Sequence, residues 1–280
     1  MHSLPTHRVK VLGTPWQGVY YTEIESAQHF GKHWHGTHGM GVMDYGSQIS
    51  ASGRGQVQAY AGDVITTNPG EVHDGRPAAQ DVRRWRMVYV EPKLLASSAH
   101  APCGLPLGDT EFTHPVINDP GVRQKLNHLF TCITQWNAHE SPCALQTLGC
   151  DEALVQACAH MPCNHMRALL QGEDAPVQMQ RIRDWLADAM SNPPSLTELA
   201  RSAGISKYQV IRHFEKVFHV SPYVWLVHQR VEQARKLIAR GMGLTQAAYA
   251  VGFADQSHMT RMFKRHLGFT PGVWQKATVQ

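Results

Sequence analysis

From Tyr20 to Val90 the apolar residues come in short runs separated by Gly, Asn and Pro: Gly41–Tyr45, Gln56–Tyr60, Asp63–Thr66 and Trp85–Val90. Runs of this length and spacing predict β-strands in a small barrel or sandwich. From Pro120 the period lengthens. Val122, Leu126, Leu129, Phe130 and Ile133, then Leu145, Leu148, Leu154 and Val155, fall at helical intervals in a segment reaching about Leu170. Pro162 is expected to break the helix in which it lies. The polar stretch Gln171-Gly-Glu-Asp-Ala-Pro176 reads as a linker. The expected organisation is therefore a barrel over 1–119, a helical segment over 120–170, a linker over 171–176 and a helical domain over 177–280, an α+β chain.

The last third carries an internal repeat. Leu196, Leu199, Ala200, Ala203, Gly204 and Ile205 recur 48 residues later as Leu244, Ala247, Ala248, Val251, Gly252 and Phe253. Ser206, Arg212, Phe214, Pro222 and Trp225 recur 49 residues later as Asp255, Arg261, Phe263, Pro271 and Trp274, so the second copy has one extra residue in its turn. Each copy reads as helix, Gly-containing turn, helix. Ser195-Leu-Thr-Glu198 and Ser206-Lys-Tyr-Gln209 have the form of capping boxes, and Asp255 stands at the matching N-cap. Between the copies, Ser221-Pro222 opens a helix that Gly241 ends, a spacer of roughly 27 Å at 1.5 Å per residue. Val227, Val231, Ala234 and Ile238 share one face of it.

Charge sharpens this picture. Residues 1–175 hold 12 Lys and Arg against 16 Asp and Glu, a balance of −4, whereas residues 176–280 hold 14 against 6, a balance of +8. A basic domain with paired helix-turn-helix units predicts binding to double-stranded DNA. In the first copy Lys207, Tyr208, Gln209, Ile211 and Arg212 lie near the start of the recognition helix; in the second the matching residues are Gln256, Ser257, His258 and Arg261. Arg suits guanine and Gln adenine, so Gln209, Arg212, Gln256 and Arg261 are the foremost base-reading candidates, with Lys, Tyr and Ser suited to phosphates. Val210 and Phe214 are expected in the core.

SLTELARSAGIS (Ser195–Ser206) and GFADQSHMTRMFKRHLGFTP (Gly252–Pro271) closely resemble the arabinose-regulator (AraC/XylS) family, over roughly residues 177–276. FGKHWHGTHGMGVMDYG (Phe30–Gly46) and GDVITTNPGEVHDG (Gly62–Gly75) resemble that family's ligand-binding domains. The resemblance implies a cupin-like barrel that binds a small effector, helices between Pro120 and Leu170 that pair two protomers into a homodimer, and a regulator, usually an activator, that contacts RNA polymerase at a promoter. It implies no enzyme.

In metal-binding cupins a His-x-His strand, a later His and a Glu hold a divalent metal. His33, His35 and His73 match three of those positions, but Gly39 and Met40 stand near the place of the Glu, with His38 nearby. On a strand, His33 and His35 point to one side. Neutral imidazoles suit zinc or nickel, so His33, His35, His38 and His73 are candidate metal ligands, and with Glu71 and Asp74 candidate effector contacts; packing within the barrel is the other reading. No cofactor follows with certainty. Cys158, His160, Cys163 and His165 have metal-ligand types without a standard spacing. The cysteines include no Cys-x-x-Cys pair and predict free thiols. The rival functions are a metal-sensing regulator, a metal-dependent cupin enzyme fused to a DNA-binding domain, which the missing Glu opposes, and a DNA-repair methyl acceptor, whose four-cysteine zinc site these spacings do not supply. Without a secretory leader or a long apolar run, the expected place is the cytoplasm, away from membranes.

Overall fold

The computed structural model describes residues 7–79, 81–94, 110–139, 142–168 and 176–279. The chain divides into two compact units, one of residues 1–31 with 35–169 and one of residues 32–34 with 170–280.

The first unit is β-rich. β1 (His7–Leu12), β2 (Val19–Ser26), β9 (Arg83–Val90), β4 (His38–Tyr45), β7 (Val64–Thr67) and β11 (Val116–Ile117) lie side by side in that order in one sheet. β3 (Phe30–His33), β8 (His73–Pro77), β5 (Ser47–Ser52) and β6 (Gly55–Tyr60) form a second. β2 and β9 pair over their full lengths, Val19 opposite Val90 and Ser26 opposite Arg83. Alternation along these strands turns Val19, Tyr21, Met40, Val42, Val88 and Val90 into one core. Two helices complete it. Asp119 caps α1 (Pro120–Trp136) by accepting from the N–H groups of Gly121 and Val122, and Pro120 occupies the first turn, where its missing N–H costs nothing. The helix buries Val122, Leu126, Leu129, Phe130 and Ile133 against the sheet.

α2 (Ala144–His165) corrects the sequence reading at Pro162, because the helix passes through that position without interruption. Ala153, Leu154, Ala157, Cys158 and Met161 are buried in the shared core, and this packing outweighs the one hydrogen bond a proline removes. Leu145, Leu148 and Val155 point the other way, into solvent. The segment expected to be helical to Leu170 instead ends in β12 (Met166–Ala168), which pairs with β10 (Thr110–Phe112). Of the expected linker, residues 171–175 lie outside the described residues.

The second unit is helical: α3 (Val177–Asp188), α4 (Leu196–Ala203), α5 (Lys207–Phe218), α6 (Pro222–Ala239), α7 (Leu244–Ala250), α8 (Gln256–Leu267) and α9 (Pro271–Thr278). The predicted caps are present. Ser195 and Ser206 each accept from the N–H three residues on, with Glu198 and Gln209 reaching back, and Asp255 accepts from His258 N–H. α6 packs against α3, α5, α7, α8 and α9. Trp225, Leu226, Val227, Val231, Ala234 and Ile238 are all buried on it, so it is the common core of both repeats. At about 1.5–3 kcal/mol for each large apolar side chain buried, this helix joins the repeats firmly. Polar groups lock it as well: Arg235 pairs with Glu232 (3.1 Å) and lies over the Trp274 ring, whose Nε1–H donates to Arg235 carbonyl oxygen (2.8 Å).

Candidate functional site

On α5, Val210 and Phe214 are buried, as expected, while Lys207, Tyr208, Gln209 and Arg212 are exposed and Ile211 is half-buried. Tyr208 is 70% exposed. On α8 the buried side chains are Met259, Phe263, His266 and Leu267; Gln256, Ser257 and Arg261 are exposed. His258 is half-buried, its ring edge-on to Phe253 at 5.2 Å. Each helix therefore presents a polar face from its first two turns. The four foremost candidates are not equivalent. Gln209 Oε1 accepts from Ser206 N–H (2.9 Å) and Gln256 Oε1 accepts from the Thr245 hydroxyl (2.7 Å), so both carboxamide oxygens already have partners within the domain. Arg212 and Arg261 enter no ion pair among the described residues, which leaves their guanidinium forks available to an outside acceptor.

Of the predicted histidines, His33, His35 and His73 come near one another. One ring nitrogen from each of His33, His35 and His73 lies within 4.8 Å of the others. His33 and His35 are buried and His73 is half-buried. The strand argument for the first two holds only in part: β3 ends at His33, and His35 lies beyond it. His38 stands outside the group. It begins β4 opposite Val90, and its ring meets Phe112 edge-on at 5.5 Å in the core, where burial pushes its pKa down to about 4.

Glu71 and Asp74 flank this group, but both carboxylates are engaged by the protein itself. Asp74 Oδ1 accepts from Ala51 N–H (2.7 Å). Glu71 accepts from Asn68 Nδ2 (2.9 Å) and pairs with Arg54 (3.5 Å). Arg54 also holds Glu111 and the Phe112 carbonyl, and Arg167 pairs with Glu111 from the other side (2.7 Å). A chain of charge thus runs from Glu71 through Arg54 and Glu111 to Arg167 on β12. Sequence reasoning missed this network, and it missed Arg83. That fully buried guanidinium donates to Ser26 and Gln28 carbonyls, Gly75 carbonyl and Gln48 Oε1, fastening β9 to β8 and β5. Burial lowers its pKa to about 10.

The second cluster does not assemble on what is described. Cys158 is buried, with its thiol pushed up to about 12, and His165 Nε2 bonds Asp119 (2.9 Å). The side chains of His160 and Cys163 lie outside the described residues.

Residues 16–157 match the family model for the AraC-like ligand binding domain, and residues 199–277 match that for a helix-turn-helix domain. The chain is 24% identical over 237 residues to the HTH-type transcriptional regulator YbfI of Bacillus subtilis, covering 83% of this chain and 82% of that one. It is 34% identical over 100 residues to the HTH-type transcriptional regulator RipA of Corynebacterium glutamicum, 36% of this chain and 30% of that one. Among solved structures it is similar to an apo ToxT variant from Vibrio cholerae, with a TM-score of 0.52 at 11% identity over 98% of both chains. ToxT with unsaturated fatty acid bound gives a TM-score of 0.50 at 12% identity, over 98% of this chain and 96% of that one. With the first of these family models covering half the chain and the second its basic repeat, the protein belongs to the AraC family of DNA-binding transcription regulators, a β-rich, cupin-like ligand-binding domain followed by a helical DNA-binding domain.

Proposed function

We propose that one chain reads two adjacent segments of promoter DNA, α5 entering one major groove and α8 the next. The observation that carries this reading is the pairing of Arg212 and Arg261, exposed at equivalent positions of two repeats that share α6 as their core. Successive major grooves on one face of the duplex are about 34 Å apart, a separation the spacer suits. Lys207, Tyr208 and Ser257 then hold phosphates, while Arg212 and Arg261 read bases.

A small effector in the barrel, on this reading, shifts the population towards the DNA-competent state. A differential affinity of about 1–3 kcal/mol is enough for a 5–150-fold change in occupancy. The protein acts in the cytoplasm as a homodimer that contacts RNA polymerase, most simply as an activator, and performs no catalytic step. Selection of bound sequences from random duplexes tests the DNA reading. The expected result is a bipartite motif whose halves lie about 10–10.5 base pairs apart. Arg261→Ala should weaken binding to that motif by about 1–3 kcal/mol and relax one position of one half. Enrichment of no motif, or equal loss on random DNA, rejects base reading by this residue.

A further inference from the structure

Glutamine reads adenine with two atoms at once, its carboxamide nitrogen donating to N7 and its oxygen accepting from the N6 amino group. Gln209 and Gln256 are both exposed in the first turn of their helices, yet each has its oxygen turned back into the domain. Gln209 Oε1 accepts from Ser206 N–H (2.9 Å) within the capping box. A backbone N–H only donates, so the atom facing it is the oxygen and the carboxamide nitrogen points outward. On α8, Gln256 Oε1 accepts from the Thr245 hydroxyl of α7 (2.7 Å), which leaves Gln256 in the same attitude.

The Thr245–Gln256 bond is not part of closing a helix end. Asp255 already caps α8 by accepting from His258 N–H (2.7 Å), and the Gln256 carbonyl oxygen accepts from the Thr260 hydroxyl (2.8 Å). The carboxamide itself is tied to the neighbouring helix α7, which packs against α8. Nor is the bond a general feature of the repeat. Thr197 and Lys207 stand at the matching places of the first copy, and an ammonium has no acceptor to offer a hydroxyl.

The consequence is chemical. Arg212 and Arg261 carry donors only. With both carboxamide oxygens engaged inside the domain, the four foremost base readers all present donors to the groove. Guanine offers two neighbouring acceptors there, N7 and O6, whereas adenine sets a donor beside its one acceptor. A head that presents only donors therefore favours guanine even where a freely rotating glutamine would choose adenine.

We propose that Thr245 is a positioning residue that sets the base preference of the second repeat: by holding Gln256 Oε1 it makes a guanine reader of a residue otherwise suited to adenine, without itself touching a base. The proposal rests on the reading in which α8 enters a major groove, and Gln256→Ala tests that premise separately. The experiment is selection from random duplexes by the full-length protein, followed by competition binding with the selected site changed one base pair at a time. The position whose preference disappears in Gln256→Ala should be a G·C pair, favoured over A·T at least about fivefold in the unsubstituted protein. Thr245→Val removes the hydroxyl and keeps the shape. It should move the preference at that one position to A·T, while affinity for random duplexes and its salt dependence stay unchanged. Thr245→Ser keeps a hydroxyl donor and should keep G·C, and Thr245→Val added to Gln256→Ala should change nothing further. A Thr245 that only stabilised the fold would instead weaken binding to all sequences alike. If Gln256→Ala leaves every position as it was, base reading by this residue falls and the inference falls with it. If Gln256→Ala erases a preference for A·T, or Thr245→Val leaves G·C in place, base reading by α8 stands and the role of Thr245 is overturned.

Discussion

His266 is a base held where protonation is costly. It is 7% exposed on the inner side of α8, its ring centroid 3.8 Å from that of His228, and burial, aided by Arg265, lowers its pKa from 6.5 to about 4. The unfolded chain therefore binds a proton in a pH range where the native domain does not. The associated stability is present above the unfolded value near 6.5 and is lost as pH falls towards 4, a difference of roughly 3 kcal/mol in full. Urea unfolding followed from pH 7 to pH 4.5 should show the helical unit weakening through this window, and His266→Gln should remove a large part of the slope. An unchanged slope in the variant would assign the pH dependence to other groups. Nothing around His266 in the sequence announces this behaviour. Its neighbours Lys264 and Arg265 suggest a solvated face, and only the helical period running Met259, Phe263, His266 puts it inside.

Local chemistry made the helices of the second unit legible, because caps, turns and apolar faces all act within a few residues of one another. Ser195, Ser206, Asp255 and the α6 face are where the sequence puts them. The barrel was legible where a short apolar run is bounded by turn residues, as in β4, β6, β7 and β9. β10 and β12 are three residues each and exist through pairing across more than fifty residues, which no local pattern records. The same applies to Arg83, whose partners come from three distant loops and strands; the convergence of His73 on His33 and His35 was legible through the resemblance to cupins and not through any local pattern. Pro162 shows the opposite error, a strong local signal overruled by packing. Repeat symmetry also has limits at the level of turns. Gly204 and Gly252 are equivalent in sequence, and both have positive φ, 65° and 89°. A Cβ at Gly204 meets nothing within 4 Å, whereas one at Gly252 falls 2.7 Å from Ser191 Cα and 3.0 Å from Met190 carbonyl oxygen. Gly204→Ala should cost about 1 kcal/mol of backbone strain. Gly252→Ala should cost at least about 2 kcal/mol by adding a backbone clash, as measured by urea unfolding of the two variants. Equal losses would mean that the second turn relaxes freely.

At the scale of the whole molecule, charge is segregated along the chain. The first 175 residues carry −4 and the remainder +8, so the end of the chain with the repeats is the end drawn to a polyanion. The first unit leaves an apolar stripe exposed on α2: Leu145 is 76% exposed, Leu148 61% and Val155 49%, all within about 80° of one another around the helix axis. A second copy of the same helix would cover it, which is the support for the proposed homodimer. Leu148→Lys should shift sedimentation towards monomer while circular dichroism stays unchanged; a variant that sediments as the unsubstituted protein does would remove α2 from the contact.

The shared core helix α6 also bears on how target promoters can change over evolution. A regulator whose two reading heads are joined by a flexible strand tolerates targets with variable gaps. Here the gap is set by eighteen residues of helix packed against both repeats. On the proposed reading, one inserted base pair turns the second half of a target by about a tenth of a helical turn away from its reader. Promoters under this protein can then drift letter by letter, each exchange at a modest loss of affinity, but they are closed to drift by insertion or deletion between the halves.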